Sequence, residues 1–212
     1  MKPVNLKQVL SIFGLLLGCH AFAASQPPNI VLFLVDDMGW QDTSVPFHSE
    51  RTPFNDHFRT PNMERLAKQG VKFTQAYAAA VCSPTRTSIM TGQNPIRHKV
   101  TNWTLNKNGE TSGKTARLQA PVNWKRNGLQ PDAITLPKLL QGAGYYTIHA
   151  GKAHWGAHDT PGSNPKNLGF DANIAGHAAG GPGGWYGKTN FGNNSDGTPK
   201  RPWGIPGLEH YY

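Results

Sequence analysis

Apolar positions along this chain fall in short runs, each closed by a polar or glycine-rich break, and the runs predict alternating strands and helices. Residues 29–35 (NIVLFLV) are continuously apolar and rich in branched side chains, the pattern of a strand buried on both faces of a parallel sheet. That run ends at Asp36-Asp37. Thr60-Pro61 then opens a helix, a capping residue followed by a proline suited to the first position. Met63, Leu66 and Ala67 give this helix an apolar face and Gly70 stops it. Residues 71–77 (VKFTQAY) alternate as a strand. The loop after it brings Cys82, and Pro84 suits the first turn of a second helix running to about Thr91. Thr135-Leu136-Pro137 starts a third helix that closes at Gly142 to Gly144. The strand 145–150 (YYTIHA) follows and runs directly into Gly151-Lys152-Ala153-His154.

This order predicts an α/β domain with a largely parallel sheet. In such sheets ligands bind beyond the carboxyl ends of the strands. Asp36-Asp37, Cys82 to Arg86 and Lys152 to His154 each follow a predicted strand, directly or after a short loop, and are expected to converge on one pocket. Residues 101–132 have scattered polar positions and read as a long surface excursion. From Thr160 to Tyr212 glycine, proline and asparagine dominate without a helical pattern. A flexible tail is one reading of that stretch. Trp185, Tyr186, Phe191 and Trp203 favour a packed, loop-rich segment, because disordered chains are poor in aromatics. No internal repeat is present.

The first residues belong to a different category. Lys2 and Lys7 precede the apolar stretch 9–18 and a small-x-small site, Ala21-Phe22-Ala23, so residues 1–24 are expected to be an export signal and 25–212 the working domain. The apolar run is shorter than the roughly 20 residues a bilayer-spanning helix needs, and no later stretch is apolar enough to cross a membrane. Leu16-Leu17-Gly18-Cys19 also resembles a lipoprotein signal, in which Cys19 would carry a lipid anchor. Either way a periplasmic or secreted protein is expected. Of its two cysteines only Cys82 would remain after cleavage, so no internal disulfide can hold the domain together. Without Lys2 and Lys7, 19 basic residues face 12 acidic ones and the formal charge falls from +9 to +7. That balance suits a polyanionic partner, or reports solubility alone; nucleic acid is not expected as a partner.

Chemistry concentrates in the three clusters. Adjacent carboxylates at Asp36 and Asp37 suit a hard divalent cation, though calcium wants six to eight oxygens; solvated loop carboxylates are the plainer alternative. Cys82 has the readings of an inert buried thiol or of a nucleophile activated at a helix start. Neither accounts for Pro84 and Arg86 at fixed offsets. Lys152 and His154 read as anion-binding groups or as ordinary polarity after a strand. Arg97, His98 and Lys114 could also line the cleft; nothing in their spacing decides it, and surface solvation is the expectation.

Cys82-Ser83-Pro84-Thr85-Arg86, with Met90-Thr91-Gly92 after it, closely resembles the signature of the type I sulfatases, whose fold is alkaline-phosphatase-like. The stretch NIVLFLVDDMGWQD resembles the family's opening metal strand, GKAHWG its Gly-Lys-Trp-His-Leu-Gly, and LGFDANIAGHAAGG its Gly-Phe-Asp segment. The resemblance implies that a maturation enzyme oxidises Cys82 to formylglycine. It also implies that Asp36 and Asp37, with modified Cys82, bind calcium, magnesium being the alternative. Arg86 would hold the hydrated aldehyde, and Lys152 and His154 would contact sulfate or modified Cys82. His177 stands where several members place a substrate-facing histidine; a loop histidine is the alternative. The implied activity is hydrolysis of sulfate esters, of a sulfated carbohydrate in an exported enzyme. Phosphate-ester hydrolysis on the same fold, or binding of sulfated glycan without turnover, are the competing functions.

Ala153 replaces the family's usual tryptophan and Gln93 its frequent arginine. Family members are around twice as long, with further metal ligands later in the chain, and His210-Tyr211-Tyr212 has no stop-like character. The 212 residues are therefore expected to be an amino-terminal fragment, inactive by itself.

Overall fold

The computed structural model describes residues 26–110 and 119–205. The expected export signal, Cys19, Lys114 and residues 210–212 lie outside the described residues. The chain divides into two compact units, Met1–Gly39 and Trp40–Tyr212.

In the first unit, residues 29–35 do not form the expected strand. Among the described residues they are laddered to no partner, and Val31 and Phe33 are 88% and 85% exposed. An apolar run supplies side chains for a buried strand, but a strand exists only where its N–H and C=O groups meet a neighbour. The run ends in a turn at Asp36-Asp37, where Asp37 takes φ 55°.

In the second unit, helix α1 spans Pro61–Gln69, with Thr60 at the cap position, Pro61 at its start and Gly70 at its end. Glu64 in the first turn and Lys68 in the last complement the helix dipole. The Thr60 hydroxyl is engaged elsewhere: it accepts from the Ser44 amide at 3.0 Å, while Ser44 Oγ donates to Glu64 at 2.5 Å. Met63 and Ala67 are half-buried and Leu66 is exposed, so only part of the expected apolar face is covered. Residues 71–77, expected as a strand, are irregular, with Val71, Phe73 and Tyr77 exposed for the same want of a partner.

Helix α2, Cys82–Thr91, starts with its cysteine and stops at Gly92 in the left-handed conformation. One helical turn, α3 (Pro95–His98), follows, and α4 spans Leu136–Gly142. The expected strand 145–150 is ordered as a ladder only over β1, Ile148–Ala150. Its partner β2, Ala172–Ile174, was not anticipated; the two run parallel with His149 opposite Asn173. Asp171 locks their start, accepting from the Thr147 amide at 2.7 Å, the Thr147 hydroxyl at 2.9 Å and Gln141 at 2.8 Å.

The core gathers Met90 of α2 with Leu129, Ala153, Trp155 and Leu168. It joins the Cys82 helix to the segment that follows β1. Within the expected excursion, Gly128 forms an isolated antiparallel bridge with Gly156 at φ 74°, and a Cβ there would lie 1.9 Å from the Trp155 carbonyl oxygen. Only glycine allows that approach.

Outside β2, residues 160–205 are packed loop and short turns. Gly183 N donates to Trp203 O at 2.9 Å, Asn193 to Ile205 O at 2.8 Å, and Arg201 bridges Asp159 through both nitrogens. The aromatics invoked for this packing are not its cause, since Trp185 and Tyr186 are 77% and 74% exposed. Backbone and amide hydrogen bonds hold the segment. Short 3-10 turns at Pro161–Ser163, Pro165–Leu168 and Gly187–Gly192 were not expected either. Among the described residues no helix is long and apolar enough to cross a membrane.

Candidate active site

Cys82 opens α2 in its first turn, where main-chain N–H groups lack helical partners. Val81 enters in extended conformation and Thr85 Oγ1 bonds back to Val81 O at 3.2 Å, which fixes this first turn. Pro84 sits where its missing N–H costs nothing. The buried face of the helix carries Ser83, Pro84, Arg86, Thr87 and Met90. Arg86, 6% exposed, therefore projects inward, while Cys82 stays half-buried at the edge.

The other side of the site is the turn after β1. Lys152 directs Nζ to Cys82 Sγ at 3.2 Å. Arg86 donates from Nη1 to the Lys152 main-chain carbonyl. Two cationic side chains and the cysteine are thus joined through one residue. His154 is buried at 5% exposure and adopts φ 56°, uncommon outside glycine. Its amide donates to His177 O at 3.0 Å, and Ala153 and Trp155 on either side belong to the core. Packing on both flanks holds the strained residue in place.

His177 reaches the site by that main-chain bond. Its Nδ1 accepts from the Ala179 amide at 2.8 Å, so the neutral ring carries its proton on Nε2, which is buried with no hydrogen-bond partner among the described residues. Burial chiefly, with the nearby His158 charge, lowers its pKa to about 4 against the pull of a main-chain hydrogen bond. His177 is a neutral donor at physiological pH.

Asp36 and Asp37 belong to the separately described first unit. Their carboxylates are hard oxygen donors of the kind calcium or magnesium takes, but no group of three His, Cys, Asp or Glu gathers to hold an ion among the described residues. The donor set fits such a cation in kind and not in number, so no step is derived through a metal.

Gly180 and His149 escaped the sequence reading, and His98 was expected at the surface. Gly180 lies against the site: a Cβ there would stand 3.1 Å from His154 Nδ1 and 3.5 Å from Lys152 Cε. The glycine pair in GHAAGG is the signal that could have marked it. His98 is buried rather than solvated, bonding Ser88 Oγ at 3.0 Å and accepting from Val100 N at 3.1 Å, and so braces α2. Burial first, and the Lys125 charge, lower its pKa, opposed by a hydrogen bond to the Pro84 main chain. His149, two residues before the Gly-Lys turn, stands inward on β1. Arg97 is exposed, as expected.

A family model described as Sulfatase matches residues 28–199. An uncharacterized sulfatase of Schizosaccharomyces pombe is 36% identical over 72% of this chain and 25% of its own length. The N-acetylgalactosamine-6-sulfatase of Mus musculus is 37% identical over 77% of this chain and 27% of its own. The chain thus spans about a quarter of the length of the curated relatives it matches, which are longer than the twofold expected. Among solved structures, Ps i-CgsB in complex with k-i-k-neocarrahexaose matches at TM-score 0.52 and 30% identity, over 76% of this chain and 30% of that one. The match to these proteins bears out the alkaline-phosphatase-like α/β class, of which the short parallel ladder and its helices are a part. Cys82, Arg86 and Lys152 stand together inside a region that the family model covers from end to end, and this chain belongs to the sulfatase family.

Proposed function

We propose that this chain belongs to an exported sulfatase that hydrolyses sulfate esters of a sulfated polysaccharide or its oligosaccharides. The observation that carries the proposal is the 3.2 Å contact between Lys152 Nζ and Cys82 Sγ, with Arg86 fixed to the Lys152 carbonyl. A cysteine that meets a lysine ammonium, with a buried arginine one helical turn on, is placed to receive an anionic ester. The relatives support the substrate class: one is named for N-acetylgalactosamine-6-sulfate and one solved structure holds neocarrahexaose. Residues 1–24 serve export, by cleavage or with a lipid on Cys19.

In this proposal a formylglycine-generating enzyme converts Cys82, and the Sγ position stands in for the oxygens of the hydrated aldehyde. One hydroxyl oxygen forms a bond to sulfur as the ester S–O bond breaks, and the departing alcohol takes up a proton. Loss of the second hydroxyl's proton then restores the C=O bond and expels sulfate. A thiolate has no such second step, since a thiosulfate has no easy exit. Arg86 orients the hydrate, Lys152 offsets the charge on the sulfuryl oxygens, and His154 and His177 contact substrate. Asp36 and Asp37 contribute to a calcium site completed by further oxygen ligands, with magnesium as the alternative ion.

Two measurements test the proposal. Mass spectrometry of the tryptic peptide 73–86 from host-matured protein should find an aldehyde at position 82. Cys82→Ala in the full-length protein should abolish sulfate release from sulfated oligosaccharides. An unmodified cysteine with retained glycan affinity would make the protein a binder, and turnover of phosphate esters alone would make it a phosphatase.

A further inference from the structure

We propose that the depression walled by Lys99, Lys125 and Arg126 binds a sulfated sugar unit of the substrate chain, away from the ester being cleaved; this deepens the sulfatase proposal and rests on it. The depression is shallow, about 170 Å³, and is lined by those three cations with Thr101, Asn102 and Trp124. Pockets that enclose a small molecule run from roughly 300 Å³ upward, so a ligand here would lie across the surface as a polymer does. Two segments build it. Lys99 follows α3, and its carbonyl accepts from the Lys125 amide at 2.8 Å; the second segment is folded back on itself by Trp124 N to Pro121 O and Gly128 N to Lys125 O, both at 2.9 Å. Lys99 takes φ 61°, the left-handed conformation that favours glycine at a helix end. A lysine kept in a strained position points to a use for its side chain.

Of the three cations only Arg126 meets an acid among the described residues, Glu110 at 3.4 Å in a pair exposed on both sides. Neither Lys99 nor Lys125 meets a carboxylate among those residues. Like charges gathered in one depression raise the local positive potential, and an anion laid between them relieves the repulsion. Charge alone would suit any polyanion. Trp124, 39% exposed, adds apolar indole area for the C–H face of a sugar ring, and Thr101 and Asn102 add neutral hydrogen-bonding groups for its hydroxyls. That mixture matches a sulfated saccharide. The depression also flanks the helix that carries Cys82. His98 lies 3.0 Å from Ser88 Oγ and Thr104 Oγ1 lies 3.5 Å from Ser83 Oγ, so residues 98–104 run beside α2 from Ser88 back to the neighbour of Cys82. These two anchors on α2 are about 7.5 Å apart along a helix axis. Thr101 and Asn102 fall between them, within the span of an oligosaccharide whose ester sits at Cys82.

The test uses full-length, formylglycine-converted enzyme with hexasaccharides of chondroitin sulfate, heparin and carrageenan, each beside its desulfated form and a sulfated monosaccharide of the same series. Lys99→Gly accepts φ 61° without strain and Lys125→Gln keeps the amide that bonds Lys99, so the double variant removes two charges and leaves the turn intact. In the series that the parent hydrolyses, its preference for hexasaccharide over monosaccharide in kcat/KM should fall about 10-fold, about threefold for each exposed charge contact, and Trp124→Ala should lower it several-fold. Binding is read separately by calorimetry on Cys82→Ala protein, where the Kd for the sulfated hexasaccharide should rise about 10-fold when both lysines are also replaced, and the desulfated form should bind weakly throughout. A preference and a Kd within about twofold of the parent overturn the inference. Equal losses on the monosaccharide overturn it too, since they would place the effect at Cys82, as would equally tight binding of poly-glutamate or of a dodecameric RNA, which would make the depression a general polyanion patch. Turnover by Cys82→Ala would sink the sulfatase proposal itself, whereas an inactive Cys82→Ala whose Kd ignores both lysines would sink only the present inference.

Discussion

Replacing Lys152 with alanine isolates one term of the proposed catalysis. The side chain places Nζ 3.2 Å from Cys82 Sγ, but the group that anchors Arg86 is the main-chain carbonyl of residue 152, which alanine keeps. The substitution should therefore remove one cation and leave the clamp standing. A unit charge pair at that distance interacts by about 5 kcal/mol at an effective dielectric of 20 and about half that at 40. The bound sulfate ester is already anionic, so only the extra charge localised in the transition state counts toward kcat. The lower figure, about 2.5 kcal/mol, is the better guide and corresponds to about a hundredfold loss of kcat. The assay is steady-state sulfate release by full-length enzyme, corrected for formylglycine content, with unfolding midpoints compared to the parent. A Lys152→Ala enzyme with kcat within about threefold of the parent, under 1 kcal/mol of barrier, would refute the electrostatic role assigned to Nζ.

Three further outcomes follow from the same geometry. Gly180→Ala brings a Cβ to 3.1 Å from His154 Nδ1 and 3.5 Å from Lys152 Cε, both in movable side chains, so kcat/KM should fall several-fold with little change in the unfolding midpoint. Because the folded pKa of His177 is depressed to about 4, the stability held by its neutral ring is complete above the unfolded value of 6.5 and lost as pH falls from there toward 4. Urea midpoints at pH 7 and 5 should differ more for the parent than for His177→Asn, whose Oδ1 still accepts from Ala179; equal slopes would count against this. The Asp171 carboxylate is held below its ordinary 3.8 chiefly by the Thr147 amide, then by the Thr147 hydroxyl and Gln141. Its contribution is present above that value and disappears as pH drops through the folded pKa, so Asp171→Asn should be less stable than the parent at pH 7 and no different in strong acid.

What the sequence made legible follows from how local each signal is. The starts and stops of α1, α2 and α4 were readable because proline and glycine act within one turn, although none of the three makes a side-chain cap bond. Residues 29–35 and 71–77 carried equally strong strand patterns and formed none, since pairing needs a neighbour that periodicity cannot supply. β2 escaped notice for the opposite reason: Ala172, Asn173 and Ile174 alternate over only three residues, too few to read as a strand, and Asp171 and Asn173 place them through specific hydrogen bonds. In the site, Cys82, Arg86 and Lys152 were legible from motif spacing, and the structure brings them together. His149 was not, because a histidine in a strand is indistinguishable from a surface residue until its neighbours are known. His98 was misjudged on the same ground, its polarity counting for solvent where two hydrogen bonds satisfy it inside.

The departure at position 153 shows how such a site tolerates change behind its polar groups. Alanine stands where the family usually has tryptophan, and here Ala153 is 1% exposed, in the same cluster as Met90 and Leu129. Aromatic bulk in that cluster comes instead from Trp155, stacked on Phe170 at 5.6 Å with 13° between the planes. Ala153 and Trp155 point into the core on either side of His154, whose φ of 56° interrupts the extended alternation and turns it toward Gly180. What the turn requires is filled volume at 153 and 155 taken together, so that the strained residue between them cannot relax. In the proposed chemistry Lys152 and His154 are the polar groups, and the buried pair Ala153 and Trp155 holds the turn between them from behind.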